Sequence, residues 1–149
     1  MAMATEFPSK SFYSSTNPFY ALGKDYVGEC TWYAWGRAHE VTGETGLPNS
    51  SAGKWYQKAS GFTKYGPTAT PVAPGIGCFS HYVVFIESVS NGNVTFSEAN
   101  YYSDSRLSNG KIETENTSTK GTDGVLKTLA VKDFLERSGG GSYQGCIAL

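Results

Sequence analysis

His81-Tyr82-Val83-Val84-Phe85-Ile86-Glu87-Ser88-Val89-Ser90, then Asn91-Gly92, then Asn93 to Tyr101, is the stretch from which the fold of this chain can be read. β-Branched and aromatic residues fill the first arm, as a pleated, half-buried surface requires. Asn-Gly between two such arms is a strong hairpin signal, because both residues tolerate positive φ in a two-residue turn. That turn pairs Ser90 with Asn93, Phe85 with Glu98, Val83 with Asn100 and His81 with Tyr102. Residues opposite each other or two apart share a face of the sheet. His81, Val83 and Phe85 are therefore expected on one face with Glu98, Asn100 and Tyr102, with Asn100 the diagonal neighbour of His81. A slip of one residue would put Glu98 and Asn100 on the other face.

Working outward, Ile76 to Phe79 is a short apolar run that reads as a preceding strand. Ser142 to Leu149 reads as a closing strand, after a helical turn over Val131 to Arg137 that Gly139-Gly140-Gly141 breaks. Residues 103–124 are polar and read as a long mobile loop. Upstream, a helix opens at Cys30, carries Ala34, Ala38 and Val41 on one face, and stops at Gly43. Asn49 and Ser50 are caps for a shorter helix from Ser51 to Ala59, and residues 61–75, with three Pro and three Gly, read as loop. The pattern predicts an α+β domain over residues 17–149, with N-terminal helices packed on a twisted, mainly antiparallel sheet. Residues 1–16 read as a flexible arm, and its opening methionines look like residues added for expression.

At 149 residues the chain is one domain that can bury roughly 70% of its unfolded surface, so it needs no staples. Charged residues are 17% against 39% hydrophobic, which argues against disorder. A net charge of −1 and a pI near 6.1 argue against nucleic acid as a partner. No apolar run approaches the ~20 residues of a membrane span, and no signal peptide is visible. The 18 glycines and 21 aromatics suit a turn-rich sheet, and the aromatics that are not core supply stacking surface for sugars or peptides.

Cys30 carries the chemistry. A thiol at a helix start sits among unpaired N–H groups and the positive end of the dipole, which favours the nucleophilic thiolate. The same N–H groups can hold an oxyanion. A buried free Cys is otherwise a small hydrophobe. His81 tips the balance, because a base oriented by Glu98 or Asn100 is what a cysteine hydrolase needs. His39, flanked by Arg37 and Glu40, reads as a solvated surface residue. Cys30, Cys78 and Cys146 are too few and too scattered for a disulfide framework, and one bridge would leave one thiol free. Cys78 and His81 alone fall short of a zinc site, so neither a metal nor another cofactor is expected.

Gly28-Glu29-Cys30-Thr31-Trp32-Tyr33-Ala34-Trp35-Gly36-Arg37 resembles the opening signature of CHAP domains, the cysteine, histidine-dependent amidohydrolases/peptidases. Gly77 to Glu87 resembles their histidine strand and Ser97-Glu98-Ala99-Asn100 the next one, and the similarity runs from about Asn17 to Leu149. The resemblance implies a papain-like α/β fold and hydrolysis of amide bonds in bacterial peptidoglycan. It implies Cys30 as nucleophile, His81 as base, and Glu98 and Asn100 as the residues that orient His81. Glu98 is expected to touch His81 directly. Trp32, Trp35, Trp55 and Tyr101 are candidates for lining the groove. Ser80 stands where the family usually has Gly before the histidine, Tyr82 replaces a smaller residue, and the single Asp25 leaves no calcium loop before Cys30.

Two bonds fit this chemistry. One joins N-acetylmuramic acid to L-alanine, cut by an amidase, toward which the reading leans; the other lies in the stem or cross-bridge peptide, cut by an endopeptidase. Different classes of reading are a non-catalytic wall-binding module and a papain-like toxin acting on protein. The expected setting is the bacterial cell wall, reached by secretion or by a phage lysin released at lysis. A monomer is expected here, with further wall-binding domains or subunits in the native protein.

Overall fold

A computed structural model of the chain describes residues 2–5, 9–23, 26–99, 105–108, 111–114, 123–137 and 139–149. Six strands form one antiparallel sheet in the order β1-β8-β2-β3-β4-β7. They are β1 (Lys64–Tyr65), β2 (Gly75–Phe79), β3 (Tyr82–Ser90), β4 (Asn93–Ser97), β7 (Lys127–Ala130) and β8 (Tyr143–Ala148). The 103–124 segment, expected to be loop, holds a separate two-stranded ribbon of β5 (Ser105–Ser108) and β6 (Lys111–Thr114). The helices are α1 (Pro18–Ala21), α2 (Cys30–Thr42), α3 (Trp55–Lys58) after a 3-10 turn at Ala52–Lys54, and α4 (Val131–Leu135). This is the α+β arrangement expected. Strand β7 has no counterpart in the sequence reading, since it is a four-residue edge strand with alternating partial burial.

Helix α2 and α4 cover opposite faces of the sheet. On one face the Arg37 guanidinium lies over Phe85, 5.7 Å from its centroid, and pairs through Nε and Nη2 with Glu87 at 3.0 and 2.9 Å. On the other, Phe134 of α4 packs edge-on against Phe79, Phe96 and Tyr143. Gly77 leaves room for that ring, since a Cβ there would come within 2.9 Å of Phe134. Cys78 pairs with Gly145 and Cys146 with Gly77, so the two thiols lie on adjacent strands but opposite faces. All three cysteines are free and buried.

Helix α2 ends where expected, on Gly43 in the left-handed region at φ +76°, whose N–H reaches the His39 carbonyl. Its first two turns are buried almost all round, and Val41, expected on the core face, is 46% exposed. The reason is the N-terminal segment. Phe12 is fully buried against Trp32, Tyr33 and the side-chain-free face of Gly36. Trp32 Nε1 donates to the Phe12 carbonyl at 2.9 Å, and Asn17 Nδ2 donates to the Trp32 carbonyl at 3.2 Å. His39 is not simply solvated: its ring stacks on Trp35 and its Nδ1 meets Ser11 Oγ at 2.9 Å. Residues 9–17 are thus part of the packed domain rather than a free arm, because their aromatics complete the burial of α2.

Asn91 and Gly92 both have positive φ, +53° and +76°, so the expected two-residue turn is present. Ser90 pairs with Asn93 and Ser88 with Thr95, but then Ile86 pairs with Phe96 and Phe85 with Ser97. Glu87 is the extra residue of a β-bulge, and its carboxylate turns to Arg37 and to Ser97 Oγ at 2.6 Å. The bulge shifts the register by one. Phe85 therefore faces α2 with Ser97, and Glu98 belongs to the opposite face.

Candidate active site

Cys30 is the first residue of α2, reached from Gly28 at φ +95° through Glu29, whose side chain makes no cap hydrogen bond. The first N–H groups of the helix have no intrahelical acceptor and point toward the cleft end of the helix. Cys30 is 8% exposed, and that exposure is into an open cleft of about 300 Å³ which His81 also lines, together with Tyr26, Glu29, Ser51 and Ala52. The two residues expected to form the catalytic pair are thus brought to one cleft from different elements.

The electrostatics of Cys30 differ from the expectation for a helix start. Burial pushes the Cys30 thiol up to about 12; backbone hydrogen bonds from Val83 and Thr31 pull the other way, and the Glu29 and Glu98 charges add to the rise. Desolvation outweighs the backbone hydrogen bonds that favour the thiolate, so burial holds the proton on the resting thiol. Burial likewise raises Cys78, Cys146, Tyr33 and Tyr82. These groups hold their protons to a higher pH in the folded chain than in the unfolded one, so stability falls as pH rises past about 8.5. Cys30 and Cys78 alone cost about 2 kcal/mol each by pH 10. The urea midpoint measured at pH 8 and at pH 10 is expected to drop; a flat profile would show that the thiols are not held protonated.

His81 is not the first residue of a strand. It and Ser80 form the two-residue turn between β2 and β3, where Phe79 pairs with Tyr82. The turn is clasped by the chain around the glycine triplet. His81 N–H donates to the Gly140 carbonyl and Ser80 N–H to the Ser142 carbonyl, both at 2.9 Å. Ser142 N–H donates to Ser80 Oγ at 3.0 Å. The imidazole is exposed, and among the described residues nothing hydrogen-bonds it.

Glu98 does not touch His81. It is fully buried on the α4 face, where Arg137 clamps both carboxylate oxygens at 2.5 and 2.6 Å and Lys127 Nζ donates to one of them at 2.8 Å. The register shift at Glu87 and the two cations on that face account for the difference. Asn100 and Tyr101 lie outside the described residues. Trp32, Trp35 and Trp55 are 0%, 2% and 0% exposed, so they are core rather than groove, and among the described residues the aromatic that lines the cleft is Tyr26, 45% exposed. Tyr26 carries no sequence signal beyond its nearness to Cys30. The clasp residues had one: a glycine run before a strand marks a close backbone approach.

From His81 the groove continues into cavities of about 400 Å³, which Lys54 lines, and about 690 Å³, which Arg137 and Ser142 line. Among the described residues no group of three or more His, Cys, Asp or Glu could hold a metal ion.

The CHAP domain family matches residues 20–100, a span holding Cys30, His81 and Glu98 in order. The chain belongs to the CHAP family. CHAP domains are cysteine, histidine-dependent amidohydrolases or peptidases that act on peptidoglycan, so cell-wall hydrolysis is the general activity of the family. A solved structure titled "The crystal structure of Ly7917" is similar at 14% identity and a TM-score of 0.49, over 81% of this chain and 53% of that one. This CHAP chain therefore spans about half the length of that protein. The search of curated proteins found no match. Among the described residues of this CHAP domain, no helix is long and apolar enough to cross a membrane.

Proposed function

We propose that this CHAP domain is a peptidoglycan amide hydrolase in which Cys30 and His81 act as nucleophile and base. The observation that carries the reading is the single cleft lined by both residues at the start of a 13-residue helix. Cys30 Sγ attacks the scissile carbonyl as its proton passes to the exposed His81 ring, which has no competing partner among the described residues. The oxyanion is held by the N–H groups at the start of α2. The imidazolium then gives its proton to the leaving amine as the C–N bond breaks, leaving a thioester on Cys30. Water, deprotonated by His81, attacks the thioester and releases a carboxylate and the thiol. The neutral resting thiol fits this order of events, with ionisation coupled to attack rather than preceding it.

Between the two amide classes, we favour the bond from N-acetylmuramic acid to L-alanine. Groove volume on either side of His81 supports it, since one partner in that bond is a glycan. Incubation with purified sacculi tests the whole reading. New N-terminal L-alanine with freed lactyl carboxyl groups is the expected product. New peptide amines without them would make the domain an endopeptidase. New reducing ends would contradict amide hydrolysis, and binding without any release would make it a wall-binding module.

A further inference from the structure

We propose that Lys54 is a specificity-determining residue, and that the cavity it lines beside His81 receives a carboxylate carried by the leaving-group half of the substrate. The inference deepens the hydrolase reading and rests on it for the direction in which the substrate lies. That direction follows from the chemistry. In amide cleavage the acyl half stays on the Cys30 thiol while the amine half takes its proton from His81. The amine half therefore lies on the His81 side of the scissile bond.

Two cavities extend the cleft past His81. The one of about 400 Å³ shares Ser51, Ala52 and His81 with the Cys30 cleft and adds Gly53, Lys54 and Ser80, so it continues the cleft along one wall. The one of about 690 Å³ shares only His81 with the cleft. Among the described residues each is lined by one cation, Lys54 in the first and Arg137 in the second. Arg137 is committed to the buried Glu98 carboxylate, and Glu136 lines the same cavity with a negative charge, so the larger space is a poor anion site. Lys54 is exposed, and its cavity is lined by the hydroxyls of Ser51 and Ser80 and, among the described residues, by no carboxylate. An ammonium flanked by hydroxyl donors in a concave site matches a carboxylate in both charge and hydrogen bonding. A space of this volume is about 7 Å across, room for about two residues of an extended chain. The carboxylate it takes therefore belongs to the first residues past the scissile amide.

The backbone that carries Lys54 is held against the histidine turn. Lys54 ends the 3-10 turn Ala52–Lys54, and its N–H donates to the Ser51 carbonyl at 3.0 Å. The next residue, Trp55, is fully buried and donates Nε1 to the Ser50 carbonyl at 2.9 Å. Gly53 lies so close to the Ser80 carbonyl that a Cβ would overlap it, and the Gly53 carbonyl accepts from Gln144 Nε2 at 3.3 Å. The Lys54 stem is thus anchored beside His81 while its charged end stays in solvent.

The test uses soluble peptidoglycan fragments with their carboxyl groups free or converted to methylamides. On free-carboxyl fragments Lys54→Met is expected to raise KM about five- to tenfold and to change kcat less than about twofold, as for loss of binding common to ground and transition states. Lys54→Arg keeps the charge and should stay within about twofold of wild type. Lys58→Met removes a charge from α3 outside these cavities and should change nothing. Methylamidation should raise KM for the wild type by the same factor and leave Lys54→Met unaffected. The amine-bearing product keeps the carboxylate, so it should inhibit the wild type about fivefold more strongly than Lys54→Met. An unchanged KM in Lys54→Met overturns the proposal, and so does a methylamidation effect or a product inhibition equal in the two proteins. If the wild type turns over no fragment, the hydrolase reading fails. Binding of the same fragments to Cys30→Ala, with and without Lys54→Met, then decides the subsite: a five- to tenfold weaker Kd supports it and equal binding overturns it.

Discussion

Cys30→Ala is expected to abolish release of soluble fragments from peptidoglycan, a loss of about four to six orders of magnitude in kcat, since the bond-forming atom is gone. Cys30→Ser should be nearly as inactive, because a hydroxyl paired with His81 is a far poorer acid than a thiol. Neither change should unfold the domain, because the site is a cleft wall with one side open. Cys78 and Cys146 are 0% exposed on opposite faces of the sheet, so Cys78→Ser and Cys146→Ala should keep most activity where they fold. Iodoacetamide supplies an independent check in the native protein. Cys30 lines the cleft and is 8% exposed where Cys78 and Cys146 are 0%, so mass spectrometry should find the label on Cys30, at a rate that climbs with pH because the thiol is raised. Label on Cys78 or Cys146 with loss of activity and none on Cys30 would remove Cys30 from the mechanism.

Glu98→Gln is expected to cost about 3–5 kcal/mol of stability, because it leaves two buried or half-buried cations facing a neutral amide. Arg137 and Lys127 both close on the Glu98 carboxylate, and the Arg137 guanidinium also lies 4.8 Å from the centroid of Phe96. Urea unfolding measures the loss. Arg137→Met combined with Glu98→Gln should cost less than the sum of the single changes, as expected for partners in one network. A carboxylate that oriented His81 by direct contact would behave in the opposite way. It would leave the urea midpoint nearly unchanged and cut kcat, and Arg137→Met would then be silent. That outcome would restore the arrangement expected from the register of an unbulged hairpin.

The contrast between Cys30 and Glu98 shows where the sequence was legible. Helix α2 could be read to the residue because its limits are set locally, by the lack of helical partners before Cys30 and by Gly43 after it. The Asn91-Gly92 turn is local in the same way, being set by the positive φ of two residues. The face of Glu98 is not local. It depends on whether one residue between the turn and the site bulges out, and Glu87 does so because Arg37, fifty positions earlier, lies across from it on α2. The tryptophans were ambiguous for a related reason, since burial of Trp32 depends on Phe12 folding back over it.

By itself, then, the order of residues determined an α+β domain with a cysteine at a helix start and a histidine next to the hairpin's first arm, though not its place in the preceding turn, because capping, turn chemistry and alternation act over a few neighbours. The tertiary structure alone decided that the Cys30 thiol is buried and pushed upward by that burial, that Glu98 pairs with Arg137 and Lys127 on the far face, and that the glycine triplet holds the histidine turn. Desolvation, register after a bulge and backbone contact between segments some sixty residues apart depend on which surfaces meet, and no short window of sequence contains both surfaces.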